Sequence, residues 1–161
     1  MPTKKNILIK FFLFFTLVCE AQEVHSVYKI DDFLKRFKSS DTVYVVNFWA
    51  TWCKPCVEEL PGFDSLTTKT SGLPVKVLLV CLNFQEEISA KVNPFLKSKG
   101  IKAECVLLDE VNGNDFVDKI SPAWSGAIPA TWFVYRDQRM LVEKKIKLSE
   151  LYERVSQMLG K

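Results

Sequence analysis

Two cysteines stand three residues apart in "NFWATWCKPC" (Asn47 to Cys56), directly behind an apolar run. A pair at this spacing has three chemical uses: a permanent staple, half of a tetrahedral metal site, or a dithiol that exchanges electrons. A structural zinc site needs four nitrogen or sulfur ligands, commonly two such pairs or one pair with two histidines. The chain has one histidine, His25, and Cys81 and Cys105 are single residues far apart, so no metal-ligand set is expected. Copper delivery is disfavoured on the same ground, because it wants imidazole or thioether ligands beside the thiolates. As a staple the pair closes so short a loop that it removes little entropy from the unfolded chain. A small ring of this kind is suited to opening and closing.

The two sulfurs are not equivalent. At a helix N-terminus the first cysteine meets unpaired backbone N–H groups and the positive end of the helix dipole, which favour thiolate over thiol. Lys54 adds a cation beside it. Cys56 lies one turn deeper and better shielded, the place for a thiol that resolves a mixed disulfide. Cys53 is therefore expected to be the nucleophile and Cys56 the resolving thiol.

This chemistry needs a rigid strand before the pair and a helix after it. "TVYVVNFW" (Thr42 to Trp49) is β-branched and aromatic with almost no polar residue, the pattern of a strand buried on both faces. After Cys53 the pattern turns helical through Val57, Leu60 and Phe63, with Pro61 inside it as an expected kink. "IDDFLKRF" (Ile30 to Phe37) reads as a short amphipathic helix. Further strands are expected in Leu73 to Phe84 and Ala103 to Asp109, with a helix over Glu86 to Gly100 that contains Pro94. A short helix over Asn114 to Ile120, a hairpin turning across Arg136 to Arg139 and a C-terminal helix N-capped by Ser149 complete the chain. Strands alternating with helices and ending in a hairpin predict an α/β fold with a mixed central sheet flanked by helices.

With these residues in view, "FWATWCKPC" followed by Pro61 resembles the active site of the thioredoxin superfamily. "GAIPATWFVYRD" (Gly126 to Asp137) is similar to that family's cis-proline segment. The resemblance covers Thr42 to the C-terminus, and the added helix and strand between Glu86 and Leu108 resemble the exported TlpA/ResA-type branch, an insertion absent from minimal thioredoxins. It implies a thioredoxin fold with a helix-strand insertion, a cis Pro129, and a loop that pairs with an extended stretch of substrate. It also implies that Trp52, Lys54, Pro55, Ile128 and Pro129 border bound substrate, and that no cofactor is needed. Asn47 stands where thioredoxin carries a buried aspartate. Because an amide cannot move a proton, Glu59, which matches an acidic residue of the branch, is expected to act as general base for Cys56. Gln138 stands at a hairpin position that usually carries Gly. Cys81 and Cys105 fall in strands that the family topology sets side by side, either as a second disulfide or as two buried inert thiols.

The function expected is thiol-disulfide exchange with protein cysteines, in the direction of a reductase. A disulfide-forming oxidase on the same fold and a non-catalytic interaction module stay open as alternatives. A peroxiredoxin-like peroxidase is disfavoured, since that family places Thr or Ser three residues before its peroxidatic cysteine and Ala50 stands there here. The partners implied are protein thiols and disulfides as substrates and a membrane-embedded electron donor, with the chain itself a monomer.

Composition sets the outer bounds. With 161 residues, 48% of them hydrophobic and 25% charged, the chain is long and apolar enough for one compact domain. Its formal net charge of +3 includes Lys4, Lys5 and Lys10, so the remainder is near neutral and no nucleic-acid footprint is visible. "MPTKKNILIKFFLFFTLVCEAQ" sets lysines before an apolar block that falls short of the roughly 20 residues of a membrane span. It reads as a signal peptide over residues 1–21, cleaved after Ala21, ahead of a domain over 22–161. Lipidation at Cys19 is the main alternative. Either places the domain outside the cytoplasmic membrane, periplasmic or membrane-associated, where disulfides persist.

Overall fold

The computed structural model describes residues 23–38, 41–110 and 114–160. The leader expected over residues 1–21, its expected cleavage after Ala21 and the alternative lipidation site Cys19 lie outside the described residues. Among the described residues six strands form one mixed sheet in the order β1-β4-β3-β2-β5-β6: β1 (Val24–Tyr28), β2 (Val43–Trp49), β3 (Val75–Cys81), β4 (Glu104–Leu108), β5 (Ala130–Tyr135) and β6 (Gln138–Val142). Neighbours from β1 to β2 run parallel, while β5 pairs antiparallel with β2 and with β6. The α-helices that flank it are α1 (Ile30–Leu34), α2 (Lys54–Lys69), α3 (Asn93–Lys99), α4 (Asn114–Ile120) and α5 (Leu148–Met158).

The period of two along β2 divides its side chains between two cores. Val43, Val45 and Trp49 join Leu60, Phe63 and Leu66 of α2, Leu96 of α3 and Leu151 of α5. Val46 and Phe48 face the other way, onto Phe33 of α1, Phe116 of α4 and Trp132. A strand covered on both faces has no solvated side to accept polar residues, which is why β2 reads as a nearly unbroken apolar run. Trp49 is fully buried and Trp132 nearly so, and Phe37 stands edge-on to the Trp132 ring at 5.2 Å.

Several elements depart from the sequence expectations. The first helix gives way after Leu34 to a 3-10 turn over Lys35–Phe37. The segment expected as one helix over Glu86 to Gly100 is built in three pieces, a 3-10 turn Gln85–Glu87, a π-helical stretch Ile88–Val92 and α3. Pro94, which has no N–H to donate, sits in the first turn of α3, where none is required. Pro61 is likewise carried within α2, which runs on to Lys69. Ser149 is not an N-cap: α5 begins at Leu148, with Lys147 extended before it and no side-chain cap. The hairpin closes on Arg136 and Asp137, and the left-handed residue is Arg136 (φ 50°) while Gln138 already lies in β6, paired with Tyr135. The edge strand β1 has no counterpart in the expectations. Its residues are mostly exposed, so the sequence offers little hydrophobic patterning there.

Cys81 and Cys105 are both free and both buried. Their strands are adjacent, but Cys105 pairs with Leu79 and Cys81 with Leu107, an offset of two residues. With strands about 4.8 Å apart and a rise of about 3.3 Å per residue, that diagonal is about 8 Å between Cα atoms. It exceeds the span of about 7 Å that a disulfide tolerates. Burial pushes the Cys81 thiol up to about 12 and the Cys105 thiol well above its ordinary value, so neither offers a thiolate. Alkylation of the air-oxidised native domain should therefore leave both unlabelled, and in denaturant without reductant both should be modified and recovered by peptide mass analysis. A Cys81–Cys105 crosslinked peptide would overturn this reading.

Candidate active site at the Cys53–Cys56 disulfide

β2 ends at Trp49, a tight loop follows, and Cys53 is the residue from which α2 starts. Cys53 keeps extended backbone angles while its Sγ accepts from the N–H of Cys56 at 3.3 Å, so the sulfur itself caps the helix. This is the position where an N-cap side chain relieves one of the four unpaired N–H groups of a helix start. Lys54 and Pro55 fill the first two helical positions, both exposed. Cys53 and Cys56 are joined in a disulfide with Cα atoms 5.3 Å apart. Cys56 is fully buried and Cys53 is 6% exposed, which makes Cys53 the sulfur within reach of a partner.

The opposite wall is the loop that leads into β5. The Ile128–Pro129 peptide bond is cis, and the Ile128 carbonyl oxygen lies 3.8 Å from Cys53 Sγ. Ile128 is half-buried and Pro129 buried. Trp52 is 67% exposed beside the disulfide, an aromatic face open to solvent. Trp124 is turned inward, its ring tilted at 37° against Phe48 with centroids 4.6 Å apart and its indole N–H donating to the Ala127 carbonyl, where it stiffens the same loop. Trp52, Cys53, Lys54, Pro55, Cys56, Ile128 and Pro129 thus gather at one end of the sheet, and Glu59 lies one helical turn beyond Cys56.

Glu59 is 4% exposed. Its Oε1 accepts from Asn47 Nδ2 at 2.8 Å and its Oε2 from the Ile146 N–H at 2.9 Å. Burial raises its pKa above the ordinary carboxyl value, against the opposing pull of Ile146, Asn47 and Lys145. Neighbouring Glu58 is exposed and paired with Lys145 at 2.6 Å, which lowers its pKa. Two consecutive glutamates therefore end with opposite shifts, because only one faces the sheet. Among the described residues Asn47 Oδ1 is without a hydrogen-bond partner, as is the Thr131 hydroxyl directly across the strand pair. Asn83 was not legible as part of this site. It is 3% exposed and bonded to Thr51 in the disulfide loop, and its only sequence signal is a polar residue closing a buried strand.

A mixed sheet with a Cys-x-x-Cys disulfide at the N-terminus of a covering helix, opposed by a cis-proline loop, defines a thioredoxin-like domain. The chain belongs to the Redoxin family, whose pattern matches residues 26–150. Among curated proteins it is 29% identical over 102 residues to a thiol-disulfide oxidoreductase ResA of Bacillus cereus, covering 63% of this chain and 53% of that one. It is 33% identical over 63 residues to the sporulation thiol-disulfide oxidoreductase A of Bacillus subtilis, covering 39% and 38%. The chain thus spans about half or less of the length of these relatives. In structure it is similar to a thioredoxin-related protein from Neisseria meningitidis serogroup B, with a TM-score of 0.66, 21% identity, and coverage of 78% of this chain and 90% of that one. It is also similar to StoA from Bacillus subtilis, with a TM-score of 0.57, 21% identity, and coverage of 71% and 83%.

The raised pKa of Glu59 carries a sign. The folded state holds its proton more tightly than the unfolded chain, whose value is near the ordinary 4.5, so the stabilisation is full below that pH and is lost as pH rises through the folded value. Glu59→Gln removes the titration and keeps an acceptor for Ile146, while its amide can donate to Asn47 Oδ1 once the Asn47 side chain turns over. Thermal midpoints measured from about pH 4 to about pH 7 should move in favour of the variant as pH rises, each kcal/mol appearing as roughly 2–4 °C. Parallel curves would place the Glu59 carboxyl in an effectively aqueous setting.

Proposed function

We propose that this protein is an exported thiol-disulfide oxidoreductase, a single domain over residues 22–161 released from a leader over 1–21, working as a reductase of protein disulfides. The observation that carries it is Cys53 Sγ as the cap of α2, facing the Ile128 carbonyl, with Cys56 sealed behind it. The names of the curated relatives and the secreted disulfide oxidoreductase of Mycobacterium tuberculosis among its structural neighbours support the same reading.

In the reduced form the Cys53 thiolate attacks one sulfur of a substrate disulfide, and the other substrate sulfur leaves as a thiolate. Cys56 then gives up its proton and attacks Cys53 Sγ. The second substrate thiol departs and the Cys53–Cys56 disulfide remains, two electrons having passed to the substrate. Glu59 is the proton acceptor for Cys56: buried, with a raised pKa, and on the face of α2 that carries Cys56. Trp52, Lys54, Pro55, Ile128 and Pro129 form the surface against which the substrate chain lies. A dithiol donor at the membrane returns the two electrons, and the domain works as a monomer.

Cys56→Ser should hold substrate in a mixed disulfide on Cys53, visible on non-reducing gels, whereas adducts retained by a Cys53→Ser variant would reverse the two roles. In stopped-flow exchange with a disulfide-containing protein, Glu59→Gln should slow resolution by roughly 10² to 10⁴-fold and leave the first attack nearly unchanged. Equal slowing of both steps would remove Glu59 from proton transfer. Equilibration of the Cys53–Cys56 couple with glutathione fixes the direction: a value near the thioredoxin figure of about −270 mV supports a reductase, and one near about −120 mV an oxidase.

A further inference from the structure

Asn83 lies two residues beyond β3, 3% exposed, with every hydrogen-bonding site of its side chain engaged. Its Oδ1 accepts from the Thr51 N–H at 2.9 Å and from the Cys81 thiol at 3.2 Å. Its Nδ2 donates to Thr51 Oγ1 at 2.8 Å and to Glu87 Oε2 at 2.9 Å. Glu87 in turn accepts from the Phe84 N–H at 3.3 Å and pairs with Lys91, and these bonds hold its pKa down. Thr51 is the second residue before Cys53, inside the loop whose next constraint is the bond from the Cys53 N–H to the Ala50 carbonyl.

The loop from Ala50 to Trp52 has no strand partner, so its conformation rests on these bonds. One buried amide grips it at both the backbone and the side chain of a single residue. The carboxylate that orients that amide belongs to the 3-10 turn Gln85–Glu87, between β3 and α3. Any freedom at Thr51 passes through Trp52 to Cys53, whose sulfur must sit within reach of the Cys56 N–H to be stabilised as a thiolate.

On the reading of the site as a redox couple, we propose that Asn83, oriented by Glu87, is a positioning residue for catalysis: by gripping Thr51 it holds Cys53 at the end of α2 and so sets the thiolate character of Cys53. The turn between β3 and α3 thereby acts on the chemistry through Thr51. Bonds within a rigid loop also contribute to stability, so the discriminating quantity is a property of the sulfur.

The test measures two such properties, the pH midpoint of Cys53 alkylation in the reduced protein and the equilibrium constant of the couple with glutathione, beside the thermal midpoint. Asn83→Ala removes all four bonds and should move the alkylation midpoint upward and the equilibrium constant by at least about threefold, in the direction that favours the disulfide. Asn83→Asp keeps the acceptor for Thr51 but sets two carboxylates against each other, and should shift both readouts the same way. Asn83→Asp combined with Glu87→Gln rebuilds the pair with donor and acceptor exchanged, and should move both back toward wild type. Wild-type values for Asn83→Ala with only a lowered thermal midpoint, or a double variant no closer to wild type than Asn83→Asp, would overturn the proposal. If Asn83→Ala does not fold, the other two variants decide it. A wild-type couple that fails to exchange with glutathione would instead sink the oxidoreductase reading itself.

Discussion

The hydrogen bond from Asn47 to Glu59 joins the strand that ends at the disulfide to the helix that begins there. Both groups are buried, and each would be costly there without the other, since a buried polar group left unpaired costs about 1–3 kcal/mol. The second Glu59 oxygen holds the Ile146 N–H just before α5, so one carboxyl registers β2, α2 and the C-terminal helix against each other. Asn47 also serves both protonation states of its partner. Its Nδ2 donates to the carboxylate, and its unpartnered Oδ1 offers an acceptor to the acid. A carboxyl held in a closed core therefore has a neighbour whose amide can donate to it as it stands and accept from it once turned over.

Around this tie the remaining elements fall into a division of labour. β2 and β3 supply rigidity because they are covered on both faces, with apolar layers above and below. The loops at their ends, Ala50 to Trp52 and Leu82 to Phe84, carry the bonded polar pair Thr51 and Asn83. The cis-proline loop is braced separately, by Trp124 against Phe48 and by the Ser125 N–H to Glu143 at 3.0 Å. Disulfide and opposing loop are thus held by different parts of the chain, and both are anchored to β2.

Much of this was legible in the residues. The Cys-x-x-Cys spacing and the apolar run before it pointed to the disulfide at the start of a helix, and the cis bond at Ile128-Pro129 came from the resemblance of the segment around it to the thioredoxin superfamily. The alternation of strands and helices pointed to the mixed sheet. What escaped was set by tertiary contact. β1 is an edge strand with three exposed residues in the middle, held by pairing to β4, a partner some eighty residues away in the chain. The composite helix after Gln85 reflects accommodation of Pro94 and of Glu87, whose bonds to Asn83 and Phe84 no periodicity announces. The two-residue offset of Cys81 and Cys105 is a matter of register, invisible to composition.

The register of β1 sets where the chain joins the sheet. Val24 pairs with Cys105, Cys105 with Leu79 and Leu79 with Asn47, so β1 starts level with the later residues of β2 and not with its first residue, Val43. The chain therefore enters the sheet at its flank, three strands or about 14 Å from β2 and level with the Asn47–Glu59 bond.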